Sequence, residues 1–314
     1  MVRTVGRDEV GVATGFDRAR PRHRRWLGLA IAVVALGWIA AAAPARAAGS
    51  VSVLYAGSLV NLMEHGIGPA FDQASGDRFQ GYAGGSTLLA NQIKGRLRRG
   101  DVFISANPRV NSALTGGQNG NWVSWYVSFA QSPLVLGYNP TSRFAADFKS
   151  KPWYQVLMEP GIRIGRTDPK LDPKGALTVA LINRAATYYK VADLAQRVLG
   201  EAENPAQVLP EETLIGRLQS SQLDVGFFYS TETASAQIPR LSLPASITPK
   251  AVYTATVLAG AANPPGAVDF VTFLLGPQSR TVMTANGLEV TKPVLAGTMT
   301  AVPAPIRAIV DQNR

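Results

Sequence analysis

Short apolar runs and helical spacing alternate along residues 50–105. The apolar runs predict three strands, at residues 51–55, 79–82 and 101–105. The i, i+4, i+8 spacing of Leu89, Ile93 and Leu97 predicts an amphipathic helix between the second and third strands. We expect this helix to end at Gly100, because glycine commonly terminates helices. Strands that alternate with helices predict a parallel sheet, so the fold class is α/β.

Two longer apolar runs, at residues 132–138 and 251–258, enclose a second set of alternating elements. Two strands that connect two α/β units predict two lobes with a cleft between them. We place the first lobe at residues 48–134 and 250–314, and the second at residues 135–249. The elements predicted inside the second lobe, and after it, are strands at 162–165 and 223–229 and helices at 173–189, 211–220, 268–275 and 278–284.

The first 47 residues have the pattern of an export signal. A basic stretch at residues 22–25 precedes an apolar run at residues 26–43, and Ala45-x-Ala47 fits the small-residue rule for cleavage. We therefore expect a signal peptide at residues 1–47, cleaved near Ala47, and a periplasmic protein. The alternative is a membrane anchor, since the eighteen residues of the apolar run can just span a bilayer. The Arg24-Arg25 pair leaves general and twin-arginine export open.

Composition narrows the possible chemistry. The 314 residues include no cysteine and two histidines, which excludes disulfides, cysteine nucleophiles and thiolate-rich or imidazole-rich metal sites. Of the net charge of +10, half comes from residues 1–47, which hold eight arginines and three acids. The remainder is mildly basic, which suits an anionic ligand and does not indicate nucleic acid. One aromatic group at mostly helical spacing is interpreted as core: Trp122, Trp125, Tyr126 and Phe129.

Three junctions between a predicted strand and the next helix share a small, hydroxyl-bearing or acidic turn. The residues of interest in these turns are Gly57, Ser58, Gly85, Ser86 and Asp172. A helix N-terminus presents unpaired N–H groups and partial positive charge, so an anion can bind there without a lysine. Glycine lets a ligand approach the backbone, and a serine hydroxyl donates one more hydrogen bond. The turns predict a site for a small anion or another small ligand at the carboxyl ends of strands.

Two other interpretations of these turns stay open. Ser58, Ser86 and Asp172 are common N-cap residues, so each turn could serve only to begin a helix. A serine could also be a nucleophile, but it would need His65 or a lysine as its base. No Walker pattern is present, and no GxGxxG motif follows a strand. Three such turns in one exported, two-lobed chain favour ligand binding, so we expect no catalytic residues.

Six tracts of the chain carry a family resemblance. They resemble the molybdate/tungstate-binding proteins of ABC importers, in the branch first known from archaea. The tract at residues 165–175 is the most specific, and the resemblance runs from about Val51 to Leu295. The six tracts are VLYAGSL at 53–59, AGGS at 83–86, DVFISA at 101–106, SFAQSPLVL at 128–136, GRTDPKLDPKG at 165–175 and LDVGFFYS at 223–230.

The resemblance implies a two-lobed type II periplasmic-binding-protein fold, in which two doubly wound mixed sheets, joined by two hinge strands, close over a tetrahedral oxyanion. The family's ligand-binding serines correspond to Ser58 and Ser86, and its second-lobe site includes Asp172. In the archaeal branch this aspartate and a glutamate before a late tyrosine, here Tyr229, expand the coordination of the oxyanion's metal towards six. Phe228 stands at the glutamate position in this chain. Asp172 could therefore cap its helix, ligate that metal weakly, or select a protonated or different ligand.

The residues and the resemblance together predict the solute-binding component of an ABC importer, with molybdate or tungstate as its ligand. We expect a monomer that delivers the ligand to a membrane permease, with no cofactor and no nucleic-acid partner. The same fold could instead bind another anion, or a small organic solute against Phe227, Phe228 and Tyr229. The predicted ligand-binding residues are Gly57, Ser58, Gly85, Ser86, Asp172 and Tyr229.

Overall fold

The computed structural model describes residues 49–313. The predicted signal peptide at residues 1–47, and its cleavage site, lie outside the described residues. None of the helices between residues 49 and 313 is long and apolar enough to cross a membrane. The strands of this range are β1 Ser50–Ala56, β2 Arg78–Gly84, β3 Val102–Ser105, β4 Trp125–Tyr138, β5 Ile164–Gly165, β6 Val225–Tyr229, β7 Arg240–Leu241, β8 Lys250–Val257 and β9 Glu289–Gly297.

The helical segments vary from single turns to a helix of 17 residues. They include a 3-10 turn at Glu211–Thr213 and a π-helical turn at Met63–Ile67. The α-helices of the described range are α1 Val60–Leu62, α2 Gly68–Ser75, α3 Ser86–Lys94, α4 Pro108–Ser112, α5 Asp147–Ser150, α6 Trp153–Val156, α7 Pro173–Tyr189, α8 Leu194–Leu199, α9 Leu214–Gln219, α10 Ser230–Ser235, α11 Pro264–Leu275, α12 Pro277–Ala285 and α13 Ala304–Gln312.

The parallel part of the sheet follows the predicted alternation. β1 lies between β2 and β3 and pairs with both in parallel. The register places Ala56 of β1 opposite Gly84 of β2, so these two strands end side by side. All four residues of β3 are buried, as in a parallel sheet that is covered on both faces. The turns that follow β1 and β2 therefore lie at the same edge of the sheet.

The long strand β4 connects two groups of strands. Its first part pairs antiparallel with β8 and β9, and its last part pairs antiparallel with β6 and β7. β8 also pairs with β3, and β5 pairs in parallel with β6. The resulting order, β2-β1-β3-β8-β4-β6-β5, is a mixed sheet in an α/β fold. The largest hydrophobic cluster includes residues of β1, β3, β4, β6 and β8, so one core runs along both groups.

The helical interpretation of the aromatic group is wrong. Trp125, Tyr126 and Phe129 lie in β4, and Trp122 precedes that strand. A separation of four residues returns to the same face in a regular strand as well as in a helix, so the spacing could not separate the two. The register shift between Ser128 and Ala130 further obscures the two-residue period. The interpretation as core is correct for Trp125 and Phe129, which are both buried.

Helix boundaries are well predicted where strong end signals are present. α7 agrees with the prediction at both ends, because Asp172 caps its start and Lys190 takes the left-handed conformation at its end, with φ of 57°. α3 ends at Lys94, well before Gly100, because Gly95 forms its C-cap. Several elements have no counterpart in the prediction, and they include α4, α5, α6, α8, α10, α13, β7 and β9.

Candidate functional site

The turns after β1 and β2 form one side of the candidate site. Gly57 and Ser58 begin a 3-10 turn directly after β1, and Gly85 is the N-cap of α3. Ser58 is 7% exposed, and its Oγ lies 3.1 Å from the hydroxyl oxygen of Tyr253 on β8. Ser86 is 1% exposed, and its Oγ accepts a hydrogen bond of 3.1 Å from the backbone N–H of Ala106. Both predicted serines are therefore buried at the carboxyl ends of the parallel strands.

Asp172 approaches the same region from the other side. Its Oδ1 accepts a hydrogen bond of 2.6 Å from the backbone N–H of Lys174, which is the predicted cap of α7. Its Oδ2 is buried, and no donor among the described residues reaches it. A Cβ placed on Gly85 would lie 3.2 Å from Asp172 Cβ and 2.7 Å from the carbonyl oxygen of Leu171. The backbone N–H of Leu88 in α3 donates to that same carbonyl at 2.9 Å. The second and third predicted turns are thus in direct contact.

Glu211 lies in similar contact with the first turn. A Cβ on Gly57 would lie 2.7 Å from Glu211 Oε2 and 3.2 Å from Glu211 Cβ, so any larger residue at this position would displace the glutamate. The prediction assigned Glu211 only to the start of a helix, and it does begin the 3-10 turn that precedes α9. Its carboxylate is nevertheless buried and directed towards the site.

Lys174 occupies the centre of a buried ionic cluster that the sequence analysis missed. Lys174 is 0% exposed, and its Nζ lies 2.7 Å from Glu232 Oε1 and 3.2 Å from Glu211 Oε1. Glu232 uses its other oxygen, Oε2, to accept a hydrogen bond of 2.7 Å from the backbone N–H of Tyr229. We refer to Asp172, Lys174, Glu211 and Glu232 as the carboxyl–lysine cluster. Three carboxyl groups in it share one ammonium group.

The charges of the cluster act strongly on one another. Burial raises the pKa of Asp172 well above its usual range, and the negative charge of Glu211 raises it further, while Lys174 opposes both. Burial also raises the pKa of Glu232, again opposed by Lys174. Burial alone would lower the pKa of Lys174, but its three acidic neighbours raise it instead, so the lysine stays charged. These directions favour the neutral form of Asp172 and the charged form of Lys174.

Two buried tyrosines complete the polar surroundings. The rings of Tyr229 and Tyr253 lie 6.2 Å apart at an interplanar angle of 76°. The hydroxyl of Tyr229 is buried and has no partner among the described residues. Burial, reinforced by the nearby acidic groups, raises the pKa of both phenols. Both tyrosines are therefore neutral and can donate a hydrogen bond.

Two small cavities adjoin the cluster. One, of about 150 Å³, is lined by residues that include Ser58, Glu211 and Glu232. The other, of about 230 Å³, is lined by residues that include Gly85, Asp172 and again Glu211. The smaller cavity corresponds to the liquid volume of about five water molecules, so these spaces suit a ligand of a few heavy atoms. No group of three or more His, Cys, Asp or Glu side chains between residues 49 and 313 is arranged to hold a metal ion.

The residues required for an apolar ligand wall or a serine nucleophile are not arranged for either role. Phe227 and Phe228 are both 0% exposed and pack within hydrophobic clusters, so they do not form an open apolar wall. His65 is exposed in the π-helical turn. The hydroxyls of Ser58 and Ser86 have Tyr253 and a backbone N–H as their partners, not an imidazole. Within residues 49–313 the geometry brings together binding groups, and it does not place His65 next to Ser58 or Ser86 as a base.

Of the predicted site residues, all six lie in or against this region. The prediction lacked the three partners of Asp172 in the cluster, of which Lys174 and Glu232 are 58 residues apart along the chain. One signal could have identified Lys174: a lysine in the first turn of a helix, where positive charge is unfavourable, needs acidic partners. Its partners Glu211 and Glu232 carry no comparable signal, because acidic residues are common in the first turn.

Comparison with known sequences adds a family context to this geometry. A family model for bacterial extracellular solute-binding proteins matches residues 51–289. A putative ABC transporter molybdenum-binding protein of Haloferax volcanii is 30% identical over 233 residues, which cover 71% of this chain and 70% of that protein. The molybdate/tungstate-binding protein of Thermococcus kodakarensis is 25% identical over 281 residues, covering 74% of this chain and 78% of that protein.

A solved structure shows the same fold. The periplasmic molybdate-binding protein of Azotobacter vinelandii matches with a TM-score of 0.58 and 20% identity, covering 77% of this chain and 99% of that chain. The likeness confirms the predicted class, a mixed α/β fold of the periplasmic-binding-protein type. All six predicted ligand-binding residues, and the carboxyl–lysine cluster, fall inside the range that the family model matches.

Proposed function

Because the chain belongs to the family of bacterial extracellular solute-binding proteins, we propose that it captures a small tetrahedral oxyanion for an ABC importer. The observation that carries this proposal is the meeting of three turns around one buried polar region. Gly85 lies against Asp172, Gly57 lies against Glu211, and Ser58 bonds to Tyr253. Molybdate and tungstate are the leading ligands, supported by the names of the relatives from Haloferax and Thermococcus.

The proposed ligand contacts are hydrogen bonds from buried donors. Ser58 and Tyr253 share one hydrogen bond, so one of the two hydroxyl hydrogens is free for a ligand oxygen. Ser86 uses its oxygen as an acceptor and keeps its own hydrogen for donation. The hydroxyl of Tyr229 is buried and has no partner among residues 49–313. Because buried polar groups are nearly always hydrogen-bonded, this hydroxyl is suited to donate to an acceptor atom of the ligand. Gly57 and Gly85 let Glu211 and Asp172 lie against the backbone of the two turns, beside these donors.

Asp172 has a different role in this proposal. Its Oδ1 caps α7, and its Oδ2 is buried next to the site. Because the pKa of this carboxyl is raised by burial, it can act as a neutral donor to an oxyanion, whereas a charged carboxylate would repel it. We therefore propose that Asp172 combines the first of the roles considered above, capping of its helix, with donation to the ligand from a protonated carboxyl, and that it does not coordinate the metal of the oxyanion.

We propose a transport cycle in which the ligand contacts residues from both groups of strands. A ligand that contacts the turns after β1 and β2 together with the start of α7 and the end of β6 stabilises the state in which these two regions lie close to each other. We propose that the two lobes at residues 48–134 with 250–314, and at residues 135–249, close in this way as a monomer. The closed form would then present the anion to the membrane permease, and no chemical step is needed.

Export is the remaining part of the proposal. Relatives in this family are extracellular proteins, which supports secretion of this one. We propose that residues 1–47 are a signal peptide and that the mature protein works in the periplasm. N-terminal sequencing of the protein recovered from the periplasm tests this, and we expect it to begin near Ala48. An N-terminus that still contains the apolar run would indicate a membrane anchor instead.

Titration calorimetry on the purified protein, after removal of bound ligand, tests the binding function. We expect tight binding of molybdate and tungstate and much weaker binding of sulfate and phosphate. Thermal unfolding should show the same order, because a ligand that binds the native state raises the melting temperature. Binding of none of the four anions would overturn the oxyanion proposal and leave another solute as the ligand.

A further inference from the structure

Lys174 places a buried positive charge next to the proposed oxyanion site. In this structure, two carboxylates contact its ammonium group. Its Nζ contacts Glu232 Oε1 at 2.7 Å and Glu211 Oε1 at 3.2 Å. Glu211 and Glu232 line the smaller cavity together with Ser58, whereas Lys174 is not among its lining residues. The two glutamates therefore lie between the ammonium group and the space in which Ser58 could meet a ligand.

The two oxygens of Glu232 have separable roles. Oε2 accepts a hydrogen bond of 2.7 Å from the backbone N–H of Tyr229 and so fixes the side chain at the start of α10. Oε1 contacts Lys174. A proton on Oε1 would weaken the ion pair and leave the bond to Tyr229 in place. Glu232 can thus change its charge without losing its position.

The region as a whole favours an added acceptor and disfavours added negative charge. Tyr229 Oη is buried without a partner among the described residues, which points to a ligand with acceptor atoms. A dianion, however, would join the carboxyl groups of Asp172, Glu211 and Glu232 where charges are poorly screened. A further negative charge in a buried ion pair is strongly destabilising unless another change, such as protonation of a carboxylate, compensates for it. The rise in the pKa of Glu232 caused by its burial makes this carboxyl ready to accept a proton.

We propose that Lys174 is the cation that binds the oxyanion, and that the oxyanion displaces Glu232 from it while Glu232 takes up one proton from solvent. This inference rests on the proposed function and specifies the charge partner of the ligand. The proton comes from bulk water and is held on Glu232 Oε1. The pair Lys174–Glu232 becomes the pair Lys174–oxyanion, so the buried region gains one negative charge instead of two.

The other titratable groups around Glu232 set the direction of the pH dependence. Burial raises the pKa of Tyr229 and Tyr253, so both phenols are uncharged near neutral pH and do not supply the proton change. Burial also raises the pKa of Asp172, so the Glu232→Gln variant is needed to assign the proton to Glu232. Glu211 contacts the same lysine, and Asp168 and Glu212 line the cavities further out. Since binding takes up a proton, the affinity for the anion must rise as the pH falls.

Calorimetry with molybdate between pH 6 and 8, in pairs of buffers with different ionisation enthalpies, measures the proton uptake directly. Over this range molybdate keeps its dianionic form, so the protons counted belong to the protein. We expect uptake of up to about one proton per anion and an affinity that rises up to about tenfold per unit decrease in pH. A pH-independent affinity with no proton uptake would overturn the inference while leaving the proposed function intact.

Two variants test the roles of the pair separately. Glu232→Gln keeps an oxygen for the N–H of Tyr229 and removes the charge, so it should bind molybdate about tenfold more tightly at pH 8 and lose the pH dependence. Lys174→Met combined with Glu232→Gln removes the ammonium and one of its buried partners. This double variant should bind at least about a hundredfold more weakly than Glu232→Gln alone. Circular dichroism and thermal melting establish that each variant is folded.

Glu289→Gln is the matched control. Glu289 forms an ion pair with Lys250 at 2.7 Å in which both side chains are about half exposed, at 48% and 46%. The Glu289→Gln variant changes the net charge by the same amount as Glu232→Gln and should keep the wild-type affinity and pH dependence.

Weaker binding by Glu232→Gln would mean that Glu232 itself contacts the ligand, and would overturn the inference. A folded double variant with undiminished affinity would exclude Lys174. If wild-type protein binds no tetrahedral oxyanion at any pH, the proposed function fails as well.

Discussion

Arg166 and Lys174 are both cations with no exposed surface, but their partners differ in kind. The guanidinium of Arg166 donates to Gln207 Oε1 at 2.8 Å and to the backbone carbonyls of Glu201 and Ala202 at 2.8 and 2.6 Å. All three acceptors are neutral. Lys174 instead contacts two carboxylates, Glu211 and Glu232.

The difference separates a structural cation from an exchangeable one. Burial lowers the pKa of Arg166, yet an arginine stays protonated in proteins, and its neutral acceptors cannot titrate. The arginine therefore connects the end of β5 to the segment at residues 201–207 through hydrogen bonds whose acceptors do not titrate. The carboxylate partners of Lys174 can gain protons, and a ligand anion can replace them. A buried charge indicates function when its partners can change.

The largest expected effect is on stability, when Lys174, the cation with carboxylate partners, is replaced. Lys174→Met leaves three buried carboxyls without a cation and should reduce the free energy of unfolding by about 3–5 kcal/mol at neutral pH. Urea denaturation with a spectroscopic readout measures this change. A loss below about 1 kcal/mol would mean that the carboxyls find other partners or water.

The pH dependence of that same variant distinguishes it from a simple packing defect. Burial raises the pKa values of Asp172 and Glu232 in the folded state, and loss of Lys174, which opposes this rise, should raise them further. Groups of this kind contribute stability at low pH, and this contribution is lost as pH rises through the folded-state pKa. We therefore expect the deficit of Lys174→Met to shrink when the pH is lowered from 7 to 5. A constant deficit over this range would contradict the electrostatic explanation.

Arg166→Met should have the next largest effect, and only on stability. It leaves three buried acceptors without donors, which should cost about 2–3 kcal/mol of unfolding free energy. Because the acceptors are neutral, the loss should not vary between pH 5 and 7, and molybdate affinity should stay unchanged. Arg197→Met is the control, since its pair with Asp193 is long at 4.0 Å and both side chains are half exposed or more. A change within about 0.5 kcal/mol is expected there.

The serine hydroxyls test how much of the binding comes from neutral donors. Ser58→Ala and Ser86→Ala should each weaken oxyanion binding by about 1–3 kcal/mol, which is the range for a hydrogen bond to a charged group, and leave the protein folded. Calorimetry measures the affinity and thermal melting measures the fold. Ser150→Ala, at an exposed position on α5, should change neither property. Unchanged affinity in both site variants would remove these serines from the ligand contacts.

The smallest change in stability is expected at Gly57, where the backbone lies against the carboxylate of Glu211. Gly57→Ala places a methyl group 2.7 Å from Glu211 Oε2, so the glutamate must move away, at a cost of about 1–2 kcal/mol in stability. The shift also alters the surroundings of Lys174 and should change molybdate affinity. Gly216→Ala in α9 is the control, because a Cβ there meets no atom within 4 Å. That substitution should stabilise the helix by about 0.5–1 kcal/mol. Equal behaviour of the two variants would contradict the close approach at Gly57.

Local signals explain what could be predicted from the chain. The three turns, the bounds of α7 and the parallel pairing of β1 to β3 depend on residues that are near each other in sequence, where capping and periodicity act. The strand character of residues 125–131 could not be recognised, because Trp125 and Phe129 fit both periods. The carboxyl–lysine cluster depends on where β6, α7 and the turn at Glu211 meet. No local pattern specifies that meeting, so Glu232 could not be paired with Lys174 in advance.

The hydrogen bond between Leu88 and Leu171 has a consequence for observing motion. Leu88 is the third residue of α3, and its amide has no acceptor within the helix, unlike the amide of Leu89, which donates to Gly85 at 2.9 Å. Separation of α3 from the turn before Asp172 would therefore leave the Leu88 amide open to deuterium while the helix stays intact. The exchange rate of this one amide therefore reports the opening and reclosing of the site.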